Sequence, residues 1–298
     1  MGNNFHTAGG ASPFRYYPNE RLEEVRTAAP SQIRLSELDH LVLGVINRTL
    51  VTTSLLLHRY LESAGLMNTT VEHIRGCLRR LADNGYLNRR RFYTPDGQSN
   101  LQVFTLAEPG REEIRSRGRK TPRLGYLEHM DSIHAKRQLA ALQFVIGHDY
   151  VTEAAQTAYG RLVRDLQDTT GSHLFRPQAV IQAEGKTIFV EAVRDNPGAV
   201  EELMKKLKRF RATMNSDEIN LSGSRNYELV IVAESYPHMK AVMQELDGNI
   251  PADLQNRLVF VNDQDTFFRN KRRFRLPERR SFVGTVSVKI AELFGLQV

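Results

Sequence analysis

The chain has 298 residues, 41% hydrophobic and 25% charged, which is typical of a globular protein of about two or three domains. The formal net charge of +7 favours polyanionic partners, although charge alone does not say which. A single cysteine, Cys77, excludes an intramolecular disulfide and a cysteine-based metal cluster, and indicates a reducing, cytoplasmic location. No apolar stretch is long enough to cross a bilayer, so we expect no membrane partner.

Residues 1–33 are predicted to form a flexible N-terminal arm, because their beginning is rich in glycine, asparagine and serine. The segment that follows predicts two short helices with apolar residues at helical spacing. Ser36 is a suitable N-cap for the first helix. Thr52 or Thr53 is suitable for the second, which is expected to end near Gly65.

A third helix is predicted in "NTTVEHIRGCLRRLADNGYL", capped by Asn68 or Thr69 and stopped at Asn84-Gly85. One of its faces is apolar, formed by Val71, Ile74, Leu78 and Leu81. The opposite face is polar and basic, formed by Thr70, His73, Arg75, Arg79 and Arg80. A basic stripe of this kind favours contact with nucleic acid, although a solvated helix face is its more common meaning.

Two strand-like runs, "YLNRRRFY" and "LQVFTLA", flank a turn at Pro95-Asp96-Gly97. Three helices and then a basic hairpin is the order of a winged helix-turn-helix, which we assign to residues 34–118. In that fold the third helix enters the major groove and the wing lies along the phosphates or the minor groove. The predicted DNA contacts in this domain are Thr69, Thr70, His73, Arg75, Arg79, Arg80, Arg89, Arg90 and Arg91.

Strand alternation places Arg89 and Arg91 on one side of the wing and Arg90 on the other, so the three need not reach one phosphate. A winged helix that contacts protein instead of DNA is the alternative interpretation.

Residues 119–130 are predicted to be a basic linker, and residues 131–268 a second domain. Within the second domain the pattern predicts helix, strand, strand, helix, strand, helix and strand, with a further helix in "DYVTEAAQTAYGRLVRDLQD". Such alternation implies a mixed sheet covered on both faces. The fold class expected for the whole chain is therefore two-domain α+β.

The runs "FRPQAVI", "KTIFVEAVRD" and "LMKKLKRF" resemble, in this order, the PD-(D/E)xK or restriction-endonuclease-like fold. Together with the winged helix, they are similar to the replication-relaxation family of plasmid and mobile-element proteins, which is related to some conjugative relaxases. The resemblance covers roughly residues 35–265. It implies a catalytic site whose acidic, acidic and lysine positions correspond here to Gln178, Glu191 and Val193, with Lys206 on the following helix.

That correspondence predicts a degenerate nuclease site. A nuclease of this class needs an acidic pair for Mg²⁺ and a lysine for the developing charge. The Gln178 side chain carries no charge, and the Val193 side chain cannot donate a hydrogen bond. Loss of one charge-stabilising donor costs about 10²- to 10³-fold in rate. Lys205 or Lys206 could replace the lysine, and Glu153 or Asp195 could supply a second carboxylate. The hairpin could also be two strands of a generic sheet.

Residues 269–298 are predicted to be a basic tail ending in a docking segment. Seven basic residues between Arg269 and Arg280, Arg272 and Arg273 among them, suit phosphate contact, with Phe274 available for base stacking. A solvated tail is the alternative. The apolar stripe that would dock on the body or on another copy comprises Val286, Ile290, Leu293 and Phe294.

We therefore expect a sequence-specific, cytoplasmic DNA-binding protein of a plasmid, phage or other mobile element. It would regulate transcription, replication or transfer as a homodimer on double-stranded DNA, with an inactive nuclease-like domain and no cofactor or metal. The alternative is a Mg²⁺-dependent nicking nuclease or relaxase with displaced catalytic groups. A protein-interaction adaptor without a DNA role is the third hypothesis.

Overall fold

The computed structural model describes residues 12–25, 31, 33–97, 101–121, 130–151, 156–159, 177–183, 185–215 and 226–267. In these ranges the protein is a mixed α+β structure with helices and two sheets, as expected for the fold class. None of the helices in the described ranges combines the length and hydropathy needed to cross a membrane.

The first half begins with three helices at the predicted places. They are α1 (Glu37–Thr49), α2 (Ser54–Ser63) and α3 (Val71–Asp83). Ser36 and Thr53 cap the first two helices as predicted. The cap of α3 is Thr70 instead of Asn68 or Thr69, because the Thr70 hydroxyl accepts the His73 N–H at 3.3 Å. The predicted N-cap was therefore wrong by one or two residues.

The three helices pack against a small antiparallel sheet. Its strands are β1 (Arg21–Glu24), β2 (Leu87–Tyr93) and β3 (Gln102–Leu106), in spatial order β1-β2-β3, and α4 (Glu108–Ser116) follows. Thr52, between α1 and α2, adds an antiparallel bridge to Phe104 through backbone hydrogen bonds of 3.1 and 2.9 Å. The predicted turn between β2 and β3 contains Gly97 at a φ of 70°, which glycine adopts without steric cost.

The second sheet has five strands. Its elements, in chain order, are α5 (Ser132–Gly147), β4 (Gln156–Tyr159), β5 (Ala179–Ala183), β6 (Lys186–Ala192), α6 (Ala199–Asn215), β7 (Tyr227–Ala233), α7 (Tyr236–Leu246), α8 (Ala252–Gln255), β8 (Leu258–Asn262) and α9 (Asp263–Phe267). The spatial order is β4-β5-β6-β7-β8, antiparallel from β4 to β6 and parallel from β6 to β8.

One predicted helix of this half is partly a strand. Within "DYVTEAAQTAYGRLVRDLQD", residues Gln156–Tyr159 form β4, which pairs antiparallel with β5. Its residues 152–155 and 160–168 lie outside the described ranges. The helical prediction was wrong for Gln156–Tyr159, because pairing with a neighbouring strand overrode the local pattern.

The five-stranded sheet is covered on both faces, as predicted. Alternate residues of β6, β7 and β8 belong to two different buried clusters. Val190, Val232 and Val261 face α5 and share a continuous core with α1–α3. Phe189, Ile231 and Phe260 face α6 and α7. Since α5 is buried from Ala135 to its end, it joins the two halves of the molecule through one apolar core.

Residues 12–25 lie within the segment that the sequence predicts to be a flexible arm, and here the structure differs. Phe14 is buried in the shared core, and Ser12 is buried beside it. Residues Arg21–Glu24 form β1, which pairs with β2. The difference arises because a few anchor residues in a polar segment find partners far along the chain, which local composition cannot reveal.

Candidate nucleic-acid interface

The exposed face of α3 presents several of the predicted DNA contacts. His73 and Arg79 are exposed, and Arg75 is half-buried and lies 3.4 Å from the carboxylate of Glu72 one turn earlier. No hydrogen bond or ion pair engages the side chain of Arg79 among the described residues. The apolar face packs inward through Ile74, Cys77, Leu78 and Leu81. The helix is therefore held by one face and presents the other to solvent.

The turn before α3 is fixed by a long-range contact. The ring Nε2 of His58, on α2, lies 2.7 Å from the carbonyl oxygen of Thr69. Thr69 is half-buried and Thr70 is exposed, so of these two predicted contacts Thr70 is the more accessible. The free N–H groups at the beginning of α3 also form a partial positive charge that suits a phosphate.

Arg80 has a partner within the protein that the sequence did not suggest. Its guanidinium forms an ion pair with Asp39 of α1, whose side chain is fully buried. Asp39 also accepts hydrogen bonds from the Ser36 N–H and hydroxyl, both at 2.7 Å, and from the Cys77 thiol at 3.2 Å. Burial alone would raise the pKa of Asp39, but hydrogen bonds from Ser36 and Arg80 outweigh it, and the net pKa is lowered. Arg80 thus fixes α3 on α1.

The environment of Cys77 makes its thiol poorly reactive. It is 6% exposed, and burial together with the hydrogen bond to Asp39 raises the pKa of its thiol to about 12. A thiol with this pKa is protonated at neutral pH and is a poor nucleophile or metal ligand.

The arginines of the β2–β3 hairpin lie on two sides of the strand, as predicted. Arg91 is exposed and its guanidinium lies 5.6 Å from the centre of the Tyr93 ring, which is also exposed. Arg89 donates from Nε to Gln102 Oε1 at 3.1 Å across the hairpin. Arg90 points the other way and is only 7% exposed, so Arg89 and Arg91 are the accessible members of the trio. The predicted contacts Arg272 and Arg273 lie outside the described residues.

Gln178, Glu191 and Lys206, which the sequence compares with a nuclease site, lie close together. Gln178 lies opposite Glu191, one position beyond the Ala179–Val190 pair of β5 and β6. The amide of Gln178 donates to Glu191 Oε1 at 3.4 Å and accepts the Ala192 N–H at 2.9 Å. The backbone carbonyl of Gln178 accepts a hydrogen bond of 3.3 Å from the side-chain amide of Gln138 on α5. Gln178 is thus a bridging residue with both ends of its amide engaged.

Lys206 occupies the space between two carboxylates. Its ammonium forms an ion pair with Glu191 and lies 3.4 Å from Glu202 one turn earlier on α6. Glu202 in turn accepts a bidentate pair of hydrogen bonds from the Arg137 guanidinium, at 2.7 and 2.8 Å. The two carboxylates and two cations of this set cancel one another in charge. Of the two lysines that the sequence suggested could reach this site, Lys206 therefore contacts Glu191.

The pKa values of the two carboxyl groups shift in opposite directions. Burial raises the pKa of Glu191, although Lys206 opposes the shift. Hydrogen bonds from Arg137 lower the pKa of Glu202 to about 2. Arg137 was not predicted from the sequence. The only signal for it was a run of polar residues, Lys136 to Gln138, in an otherwise apolar helix.

These residues do not fit a Mg²⁺-dependent nuclease site. Mg²⁺ needs several oxygen ligands in near-octahedral geometry, and here an ammonium already bridges the carboxylates. Val193 faces the same side as Glu191 but is buried in the apolar cluster under α6 and α7, so it supplies no donor. In the described ranges no group of three or more histidine, cysteine, aspartate or glutamate side chains is placed to hold a metal ion.

The other groups considered as replacements do not complete the site. Lys205 is exposed. The Asp195 side chain is also exposed, and its backbone N–H donates 3.1 Å to Glu234, in a cluster near the carboxyl ends of the strands. Glu153 lies outside the described residues.

Comparison with protein-family models, with curated proteins and with solved structures gave no significant match. Function is therefore inferred from the geometry of α3, the β2–β3 hairpin and the Glu191 network.

Proposed function

We propose that the protein binds double-stranded DNA sequence-specifically through α3 and the β2–β3 hairpin. The order α1, Thr52 bridge, α2, α3, β2, β3 matches the order expected of a winged helix and supports the proposal. The observation that carries the proposal is the exposed face of α3, with Thr70, His73 and Arg79 on a helix whose opposite face is buried.

The geometry of α3 suits insertion into the major groove. Thirteen residues give a helix of about 20 Å. Arg79 is free to make a bidentate contact with a guanine edge, while Thr70 and the beginning of the helix face phosphate. Arg89 and Arg91 of the hairpin are placed to follow the adjacent backbone.

We propose that the domain formed around the five-stranded sheet, the sheet domain, does not cut DNA. Its nuclease-like positions form a charge-neutral network of Glu191, Glu202, Lys206 and Arg137, and Val193 replaces the lysine. An arrangement already neutralised by its own side chains has little electrostatic attraction for a divalent cation. This domain would contribute backbone contacts or self-association, and two copies on paired half-sites would multiply affinity. The protein would then regulate transcription, replication or transfer of a mobile element.

The test is selection from a pool of random DNA duplexes, followed by measurement of Kd for the selected duplex and for a scrambled duplex of equal length. We expect the selected sequence to bind about 10³-fold more tightly or better at fixed salt, as specific sites do. Equal Kd values for the two duplexes would refute sequence-specific binding. Failure to bind either duplex would refute a DNA role altogether.

A matched pair of substitutions then locates the interface. His73→Ala changes an exposed side chain of α3, and His134→Ala changes an exposed histidine at the beginning of α5. We expect His73→Ala to weaken binding of the selected duplex by about 5- to 100-fold, the cost of losing one base contact. His134→Ala should bind like the wild type.

A further inference from the structure

Residues 12–25 connect the sheet domain to the hairpin that we assign to DNA. Strand β1 lies along the outer edge of β2, with Glu23 opposite Arg91 and Glu24 opposite Arg90. The N–H of Val25 donates to the carbonyl of Arg89 at 2.8 Å and extends this pairing by one residue.

The two glutamates neutralise two arginines of the hairpin. Glu23 Oε2 lies 3.5 Å from the guanidinium of Arg91, and Glu24 Oε1 lies 3.9 Å from that of Arg90. Glu23 is half-buried and lies on the same side of the strand pair as the exposed Arg91, so its carboxylate is close to the surface that phosphates would approach, whereas Glu24 and Arg90 belong to the other side. An acidic strand beside a basic wing presents negative charge where the DNA backbone would otherwise lie.

The residues before β1 are anchored more firmly than β1 itself. Lys136 of α5 forms a 2.6 Å ion pair with Glu20 and also donates to the carbonyl of Arg15. The side chains of Lys136 and Glu20 are 1% and 2% exposed. Replacing such a buried pair by a single unpaired charge is costly, so this anchor is expected to persist when the surface changes.

A second anchor lies at the carboxyl ends of the parallel strands. Arg194, which follows β6, donates to Asp263 at 2.6 Å and to the Phe14 carbonyl at 3.3 Å. The Tyr16 N–H donates to Glu234 at 2.7 Å. The segment is thus held at residues 12–20, and the four-residue edge strand β1 adds its pairing with β2 and the packing of Leu22 against the core.

We propose that β1 masks the wing: Glu23 competes with DNA phosphates for the exposed Arg91, and the exposed Glu24 adds negative charge to the same strand. This proposal rests on the proposed DNA binding and adds a regulation of the same surface. Because residues 12–20 are anchored separately, we expect the segment to stay in place when the carboxylates of β1 are changed.

The test compares two double variants with the same change in net charge. Glu23→Gln with Glu24→Gln removes the masking charges and leaves the strand intact. Glu201→Gln with Glu245→Gln removes two exposed carboxylates from α6 and α7, on the far face of the five-stranded sheet. Affinity for a duplex is measured by fluorescence anisotropy over a range of salt concentrations, with melting temperatures to verify folding.

We expect the first variant to bind about tenfold more tightly than the second at 0.1 M salt, with a salt slope steeper by about one, as Arg91 contacts one more phosphate. Equal affinities and equal slopes for the two variants would overturn the masking but leave DNA binding in place. If neither variant nor the wild type binds duplex DNA, the proposed function fails, and the masking fails with it.

Discussion

The guanidinium of Arg80 on α3 forms an ion pair with the fully buried carboxylate of Asp39 on α1. The same carboxylate completes the capping box of α1 with Ser36. A single buried acid therefore fixes both the beginning of α1 and the orientation of α3. The orientation of the proposed recognition helix α3 therefore depends on the contact between Arg80 and α1.

Asp39→Asn is expected to destabilise the protein by about 2 kcal/mol, because it removes the negative charge that accepts hydrogen bonds from Arg80, Ser36 and Cys77. The measurement is the free energy of unfolding in urea. Asp83→Asn, an exposed aspartate at the end of α3, is the matched control and should change the free energy by less than about 0.5 kcal/mol. Equal effects of the two substitutions would contradict the role given to Asp39.

The Glu191–Lys206 pair is expected to be strongly coupled. Lys206→Met leaves the buried Glu191 without its main partner and should cost about 3 kcal/mol of unfolding free energy. Adding Glu191→Gln should recover part of that loss, with a coupling energy of about 1–3 kcal/mol in a double-mutant cycle. Lys205→Met, at the exposed neighbouring position, serves as the control. A cycle that closes without coupling would show that the ion pair is not formed in solution.

Supercoiled plasmid incubated with the protein and Mg²⁺ or Mn²⁺ should remain unnicked. The reason is that Lys206 already bridges the two carboxylates and Val193 supplies no donor. Agarose gel electrophoresis over several hours measures the nicked fraction. Nicking that persists through purification and disappears in Glu191→Ala would establish the nuclease alternative instead.

His238 is expected to make the protein less stable as pH falls. The pKa of His238 is lowered because burial disfavours the imidazolium more than the nearby Asp195 carboxylate favours it. The folded protein therefore binds fewer protons at this site than the unfolded chain, so stability is lost as pH falls below about 6.5. His238→Asn keeps an acceptor for the Glu234 N–H and should show a smaller loss between pH 7.5 and 5.5 in urea unfolding. An identical loss in both proteins would exclude this histidine as the cause.

Local signals predicted the helices and the hairpin well. Ser36 and Thr53 are caps whose partners lie three residues away, and the alternation of Arg89, Arg90 and Arg91 follows from strand geometry alone. Likewise, the apolar runs of β7 and β8 indicated buried strands. These features were predictable because their causes lie within one turn or one strand of the residues concerned.

The remaining features depend on contacts between distant residues. Arg80 was assigned to DNA from its position on a helix face, but its partner is 41 residues earlier. The anchoring of Ser12 depends on Asp263, 251 residues away, and no local pattern marks either residue. The role of a basic residue on a predicted helix surface is ambiguous until the acidic residues close to it in the fold are known.

The most direct test of the central claim is the salt dependence of duplex binding by the wild type and by Arg79→Ala. Arg79 is exposed on α3 and makes no ion pair among the described residues, so its removal should leave stability unchanged. We expect at least about tenfold weaker binding of the selected duplex, the cost of one bidentate base contact. The salt slope should fall by no more than about one. Unchanged affinity and slope in Arg79→Ala would contradict DNA recognition by this helix.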